Sequence, residues 1–181
     1  MKDGFILMFI VILGALIMAK VDGLNDRRFS GRFTAIDGDT LASGKMRYRL
    51  LGVDAPELRQ NCSVDRQTWA CGQAARDFVR NVLDRGEVEC SGSKTDKYSR
   101  LLVRCSVDGK DLGSLIVAEG LAVTTEYFLY AEEENHARQQ RLGLWSGAFE
   151  RPTDWRREQN GTDGDMPVAG ILTMLRHVLR W

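Results

Sequence analysis

Three short stretches of the chain carry side chains suited to one reaction. AIDGDT sets Asp37 and Asp39 around Gly38. RYRLLGVDAPE sets Arg47 and Arg49 on an apolar run and follows it with Asp54, Ala55 and Glu57. KTDKYSR gathers Lys94, Asp96, Lys97, Tyr98 and Arg100. Each stretch alone has an ordinary structural explanation. Asp-Gly is turn chemistry, charged residues alternating with apolar ones suit the wet side of a half-buried strand, and a polar KTDKYS run suits a solvated hairpin tip. Together they hold what phosphodiester hydrolysis needs. The substrate is anionic and gains charge in the transition state, so guanidinium donors must meet its oxygens. Water is a poor nucleophile and needs a carboxylate base. A hard cation needs oxygen ligands, which neighbouring carboxylates supply.

The elements that must position these residues follow from periodicity and turn signals. RFSGRFTAID alternates as a strand and ends in the DGDT turn. LASGKMRYRLLGV reads as a hairpin with Ser43 and Gly44 at its turn, stopped by Pro56. Alternation puts Arg47, Arg49 and Leu51 on one face of the second strand. Between Gly72 and Arg85 apolar residues recur at helical spacing. GEVEC and RLLVRCSV are two further strands, joined by SGSKTDKYS. Asp111 is placed to cap a helix over 112–119. A third helix is expected over about 131–142, with Glu134 and Arg138 facing each other one turn apart. NCSVDRQTWAC reads as a polar loop, and residues after about 150 read as a tail. Five short strands with interspersed helices suggest a small closed barrel, an α+β fold.

Composition bounds the class. The 181 residues suit one domain with short appendages. At 44% hydrophobic and 28% charged, the chain can bury a core. Lys plus Arg and Asp plus Glu are 25 each, so bulk positive charge does not hold it to nucleic acid, and any basic site is local.

AIDGDT, YRLLGVDAPE and TDKYSR, in that order and with GLW near the third helix, resemble the staphylococcal nuclease, or thermonuclease, family over about residues 28–157. NCSVDRQTWACG and FERPTDWR resemble bacterial exported members more than the founding nuclease. The resemblance implies a five-stranded OB-fold barrel with three helices, a calcium ion, and cleavage of DNA or RNA to 3′-phosphate ends. It implies that the catalytic arginines fall on Arg49 and Arg100 and the general base on Glu57. The calcium-binding aspartates fall on Asp39 and Asp54, with a main-chain carbonyl ligand at Ala55. Nucleotide contacts fall on Lys97 and Tyr98. The position of a base-stacking tyrosine falls on Glu126, and Tyr127 or Tyr130 takes that role after a small register change. The competing class is a non-catalytic OB-fold module binding nucleic acid or protein at the cell envelope. The complete arginine and glutamate set favours catalysis. A monomer acting on DNA or RNA is expected.

Both ends lie outside this domain. Residues 1–23 hold an uninterrupted apolar run from Phe5 to Ala19. Fifteen helical residues span roughly 22 Å, short of a roughly 30 Å hydrocarbon core, so the segment reads as a signal peptide or, retained, as an N-terminal membrane anchor. Either way the remainder of the chain, with the domain at residues 24–157, is expected to face an exported, oxidising space, the periplasm or beyond. Four cysteines, Cys62, Cys71, Cys90 and Cys105, agree with an oxidising space. Of three possible pairings, Cys62–Cys71 and Cys90–Cys105 are favoured over the others and over free thiols. Residues 158–181 read as a linker and an amphipathic helix with a cationic face, suited to a membrane surface or to packing on the barrel.

Overall fold

A computed structural model describes residues 5–14, 26–126 and 129–162. Residues 5–14 are helical (α1), and Phe5 to Leu13 are all at least 46% exposed, so this segment packs on nothing in the domain. No described helix is long and apolar enough to cross a membrane. The parts of the 1–23 and 158–181 segments beyond these ranges, including the amphipathic stretch after Pro167, lie outside the described residues.

The domain is a curled sheet of OB-fold type with helices against it. Its order is β1 (Arg27–Ser30), β8 (Val88–Gly92), β9 (Leu101–Val107), β4 (Met46–Leu50), β3 (Thr40–Ser43) and β2 (Thr34–Ala35), with β10 (Lys110–Asp111) on the other reach of β9. All pairs are antiparallel except β4 with β9, where Tyr48, Arg49 and Leu50 lie opposite Leu101, Leu102 and Val103. A separate pair joins β5 (Val53–Asp54) to β11 (Val123–Thr124), and a hairpin joins β6 (Cys62–Val64) to β7 (Gln67–Trp69).

The helices are α2 (Cys71–Leu83), α3 (Leu112–Ala118), α4 (Ala131–Gln139) and α5 (Pro152–Thr162), with a 3-10 turn at Gly143–Ser146. Residues Ala75, Val79, Val82 and Leu83 turn one face of α2 inward. They meet Leu41, Leu50, Val103, Leu112 and Ile116 in the main core. Each Val, Leu or Ile side chain among them contributes about 1.5–3 kcal/mol when fully buried. The Asp111 carboxylate caps α3 by accepting from the Ser114 N–H at 3.0 Å, and Arg138 pairs with Glu134 at 2.7 Å, both as the sequence predicts.

The disulfides are Cys62–Cys71 and Cys90–Cys105, the favoured pairings. Cys90 lies directly opposite Cys105 in the β8–β9 register. Cys62–Cys71 anchors a second, smaller core with Val123, Leu144, Trp69, Trp145 and Phe149.

Three details differ from expectation. The five strands and three helices become more numerous and shorter elements: the first strand breaks at Gly31, whose φ is +138°, into β1 and β2. The loop between Cys62 and Cys71 is the β6–β7 hairpin. The tail after residue 150 begins as α5, so the domain boundary expected at 157 falls inside a helix, and residues 158–162 are helix rather than linker.

Candidate active site

The AIDGDT turn is built by its first aspartate. One oxygen of Asp37 accepts the N–H groups of Asp39 at 2.9 Å and Thr40 at 2.6 Å, a side-chain mimic of a backbone turn. Gly38 lets that turn press on its neighbours, since a Cβ there would stand 2.5 Å from the Ala55 Cβ and 2.8 Å from that of Ala75. The result is Asp39 held almost wholly out of water, at 2% exposure. Its Oδ2 accepts the Ala55 N–H at 2.8 Å, and its Oδ1 accepts the Thr40 hydroxyl at 3.1 Å and Arg49 Nη1. Burial is the largest influence on this carboxyl and pushes its pKa up to about 8; Arg49 opposes the shift, Asp37 adds to it, the Ala55 N–H opposes it and Asp54 adds to it.

Arg49 arrives from β4, directly opposite Thr40 in the hairpin register. Strand alternation buries Tyr48 and Leu50 in the core and turns Arg49 to the other side. There its Nη2 donates to Asp54 Oδ1 at 2.9 Å and to the Val53 carbonyl at 3.3 Å. Asp54 closes β5 and is as buried as Asp39. One guanidinium therefore bridges two buried carboxylates.

Arg100 reaches the same place from the tip before β9. Asp96 shapes that tip, accepting the N–H groups of Tyr98 at 2.8 Å and Arg100 at 3.0 Å with one oxygen and Arg100 Nε at 2.8 Å with the other. Desolvation raises the Asp96 pKa, but these donors and the Arg100 charge outweigh it and hold the carboxyl below its usual range. The Nη1 of Arg100 donates to Thr40 Oγ1 at 3.3 Å, so Thr40 links the second arginine to Asp39. Lys97 and Tyr98 stand exposed at the tip, with Lys97 Nζ 5.0 Å and Arg100 Cζ 5.3 Å from the Tyr98 ring centre.

Glu57 directly follows Pro56, on a loop pinned by the buried Gln60. The Gln60 Oε1 accepts the Glu57 N–H at 3.2 Å, and the Gln60 N–H donates to the Glu57 carbonyl at 2.7 Å. Gly72 in α2 makes room for this loop: a Cβ there would fall 1.8 Å from the Glu57 carbonyl oxygen. The Glu57 carboxylate accepts Arg156 Nη1 at 2.8 Å, and Arg156 Nη2 donates to Asp54 Oδ1 at 2.9 Å. Burial acts to lower the Arg156 pKa, but its bonds to Glu57 and Asp54 and their charges outweigh it and hold the pKa above the usual value, so the guanidinium stays charged.

The expected site residues Asp39, Arg49, Asp54, Ala55, Glu57 and Arg100 are thus brought together, with Lys97 and Tyr98 beside them. Tyr127 lies outside the described residues. Tyr130 is no base platform: it is buried, its hydroxyl donates to Asp111 at 2.8 Å, and burial followed by that carboxylate raises its pKa. Glu126 is exposed. Sequence reasoning missed Arg156 and Gln60. Pro152 followed by Asp154 was a readable helix start, since proline suits the first helical position and acid the first turn.

Among the described residues no group of three or more His, Cys, Asp or Glu side chains stands ready for a metal. The available donors are the two buried aspartates and nearby main chain. Hard, charged oxygens facing one point already occupied by a cationic group fit a hard cation that draws the rest of its shell from carbonyl, water and substrate oxygens.

Residues 47–147 match the family model described as staphylococcal nuclease homologue, a span that includes Arg49, Asp54, Glu57 and Arg100 and stops short of α5. The chain is similar to a micrococcal nuclease of Shigella flexneri, at 30% identity over 90% of this chain and 100% of that protein. It is also similar to the protein ParB of Escherichia coli, at 30% identity over 69% of this chain and 77% of that one. A staphylococcal-like nuclease of Arabidopsis thaliana, CAN1, is 27% identical over 72% of this chain, which spans only 39% of the plant protein's length. A family model covering more than half of the chain, and a relative matched end to end, leave one assignment: this chain belongs to the staphylococcal nuclease family and with it to the phosphodiester hydrolases.

Proposed function

We propose that the chain is a calcium-dependent nuclease that hydrolyses the phosphodiester bonds of DNA or RNA and leaves 3′-phosphate ends. The observation that carries this reading is the row Asp39, Arg49, Asp54, with Glu57 beside it and Arg100 joined to it through Thr40. Asp39, Asp54 and the Ala55 carbonyl would hold calcium, which when bound supplies charge to polarise the phosphate. Arg49 on β4 and Arg100 at the tip before β9 would exchange carboxylate and hydroxyl partners for phosphate oxygens. A planar fork suits two such oxygens, and the interaction strengthens as charge grows in the transition state. Glu57 takes the proton of the attacking water. The water oxygen bonds to phosphorus, the bond to the 5′-oxygen breaks, and that oxygen takes a proton from solvent. Lys97 and Tyr98 offer the exposed cation and ring that a flanking nucleotide would use.

The exposed apolar helix over 5–14 and the two disulfides support export, as a cleaved or membrane-anchored form.

Plasmid and RNA degradation in calcium, and again in excess EGTA, tests the metal. Cleavage is expected in calcium alone, and Asp39→Ala and Asp54→Ala should each weaken the calcium response. Full activity in chelator would remove calcium from the reading. Product 3′ ends that a polymerase extends only after phosphatase treatment are expected; direct extension would overturn the end chemistry.

A further inference from the structure

Arg156 stands 99 residues from Glu57 and 102 from Asp54 in the chain, yet its guanidinium spans both carboxylates. Among the described residues it is the side chain that hydrogen-bonds the Glu57 carboxylate. We propose that Arg156 is a positioning residue for the general base, holding the Glu57 carboxylate at a fixed angle to the Asp39–Arg49–Asp54 row. This rests on Glu57 being the base of the nuclease reaction.

The mounting of α5 argues against a chance surface ion pair. The segment entering the helix is locked to the β6–β7 hairpin: Ser63 and Ala148 exchange N–H to carbonyl bonds at 2.9 and 2.8 Å. The Gln60 side chain, 1% exposed, donates from Nε2 to the Glu150 carbonyl at 2.7 Å. The other end of the same amide receives the Glu57 N–H. One buried side chain therefore holds both the loop that carries Glu57 and the segment that leads into α5 and Arg156. The hairpin in turn is tied to the start of α2 by Cys62–Cys71. Asp54, the second carboxylate on the fork, is 2% exposed and cannot follow Arg156 outward.

The chemistry fits this role. Glu57 lies on a loop and is 31% exposed, so its carboxylate has rotamers to explore. A general base works only within hydrogen-bond reach of the proton it takes. Two rigid donors, one on a buried strand-end aspartate and one on Glu57, remove that freedom in a way a single ammonium cannot.

The test is a double-mutant cycle on the full chain: wild type, Glu57→Gln, Arg156→Gln and both together. The readouts are kcat and KM on a defined oligonucleotide in saturating calcium, with thermal melting of each protein. A misplacement of about 1 Å can reduce turnover by about 10²-fold, so Arg156→Gln is expected to lower kcat by roughly 10- to 10²-fold with KM nearly constant. In the Glu57→Gln background the same change should alter kcat by less than about twofold, because residues acting through one group are not additive. Arg156→Lys keeps the charge without the fork, and should recover only part of the loss. If Arg156→Gln fails to fold, the lysine variant carries the same cycle. Additive losses would overturn the proposal, as would a rise in KM at constant kcat or turnover that stays equal or increases. Unchanged turnover in Glu57→Gln would instead remove the base assignment itself.

Discussion

The site has two halves that are positioned by different means. Asp39, Arg49 and Asp54 come from strands and a strand-end turn, and main-chain ladders fix them. Glu57 and Arg156 come from a loop and a helix outside the sheet, and a set of staples fixes them: Gln60, the Ser63–Ala148 bridge and Cys62–Cys71. A ladder specifies a side chain's direction by its register, one residue at a time. A loop has no register, so a base placed on it depends on contacts made far away in the chain.

The sharpest break between the halves is expected from Arg49→Lys. The strand still delivers a cation, but the bridge between Asp39 and Asp54 loses its fork. Turnover should fall by about 10²–10³-fold, the scale of removing one preorganised donor. Steady-state kinetics with melting curves measure it, and turnover within about twofold of wild type would show that the strand half needs only charge.

The two disulfides sharpen the comparison further. Cys90–Cys105 joins residues already paired in the β8–β9 ladder, and its removal as Cys90→Ser/Cys105→Ser should lower stability by about 3 kcal/mol in the loop-entropy model. Turnover of the folded protein should be unchanged. Cys62–Cys71 closes a shorter loop, and its removal as Cys62→Ser/Cys71→Ser should lower stability by about 2–3 kcal/mol in the same model. Here turnover should fall as well, at a temperature where the variant is fully folded. Denaturant melts beside kinetics at low temperature give both quantities, and equal kinetic behaviour of the two variants would erase the distinction.

The smallest expected effect is from Asp111→Ala, which removes the cap of α3 and the acceptor of Tyr130 but touches neither half of the site. A loss of about 1 kcal/mol with normal kcat is expected from denaturant unfolding and steady-state rates.

The same division decides what was legible in the sequence. The strand half announces itself locally: Asp-Gly in AIDGDT, alternation through MRYRL, and Pro56 as a stop each report their geometry within a few residues. The loop half does not. The β6–β7 hairpin turns on Asp65 and Arg66, both with positive φ, at 49° and 67°. Tight hairpin turns of this kind usually carry Asn-Gly or Asp-Gly, and Asp-Arg gives no such signal. Helix α5 shows Pro152 and Asp154 at its start, but its sequence is largely polar, so no apolar stripe separates it from a tail. Gln60 is an ordinary loop residue until the chain closes around it. Tyr130 illustrates the opposite error, an aromatic near the right place whose hydroxyl is spent on Asp111.

The long sequence separation between Glu57 and Arg156 also bears on how the molecule is made. Bringing together residues 99 apart costs about 2 kcal/mol more loop entropy than residues ten apart, by the logarithmic dependence on length. That loop-closure entropy has to be met before the contact can contribute to stability. A ribosome delivers the chain from its amino end, so the strand-borne carboxylates and Arg49 are synthesised roughly a hundred residues before the helix that steadies the base. A chain cut at residue 150 would keep Asp39, Arg49 and Asp54 but lack Arg156, so the tie between Glu57 and Asp54 depends on a part of the chain that the row itself does not need.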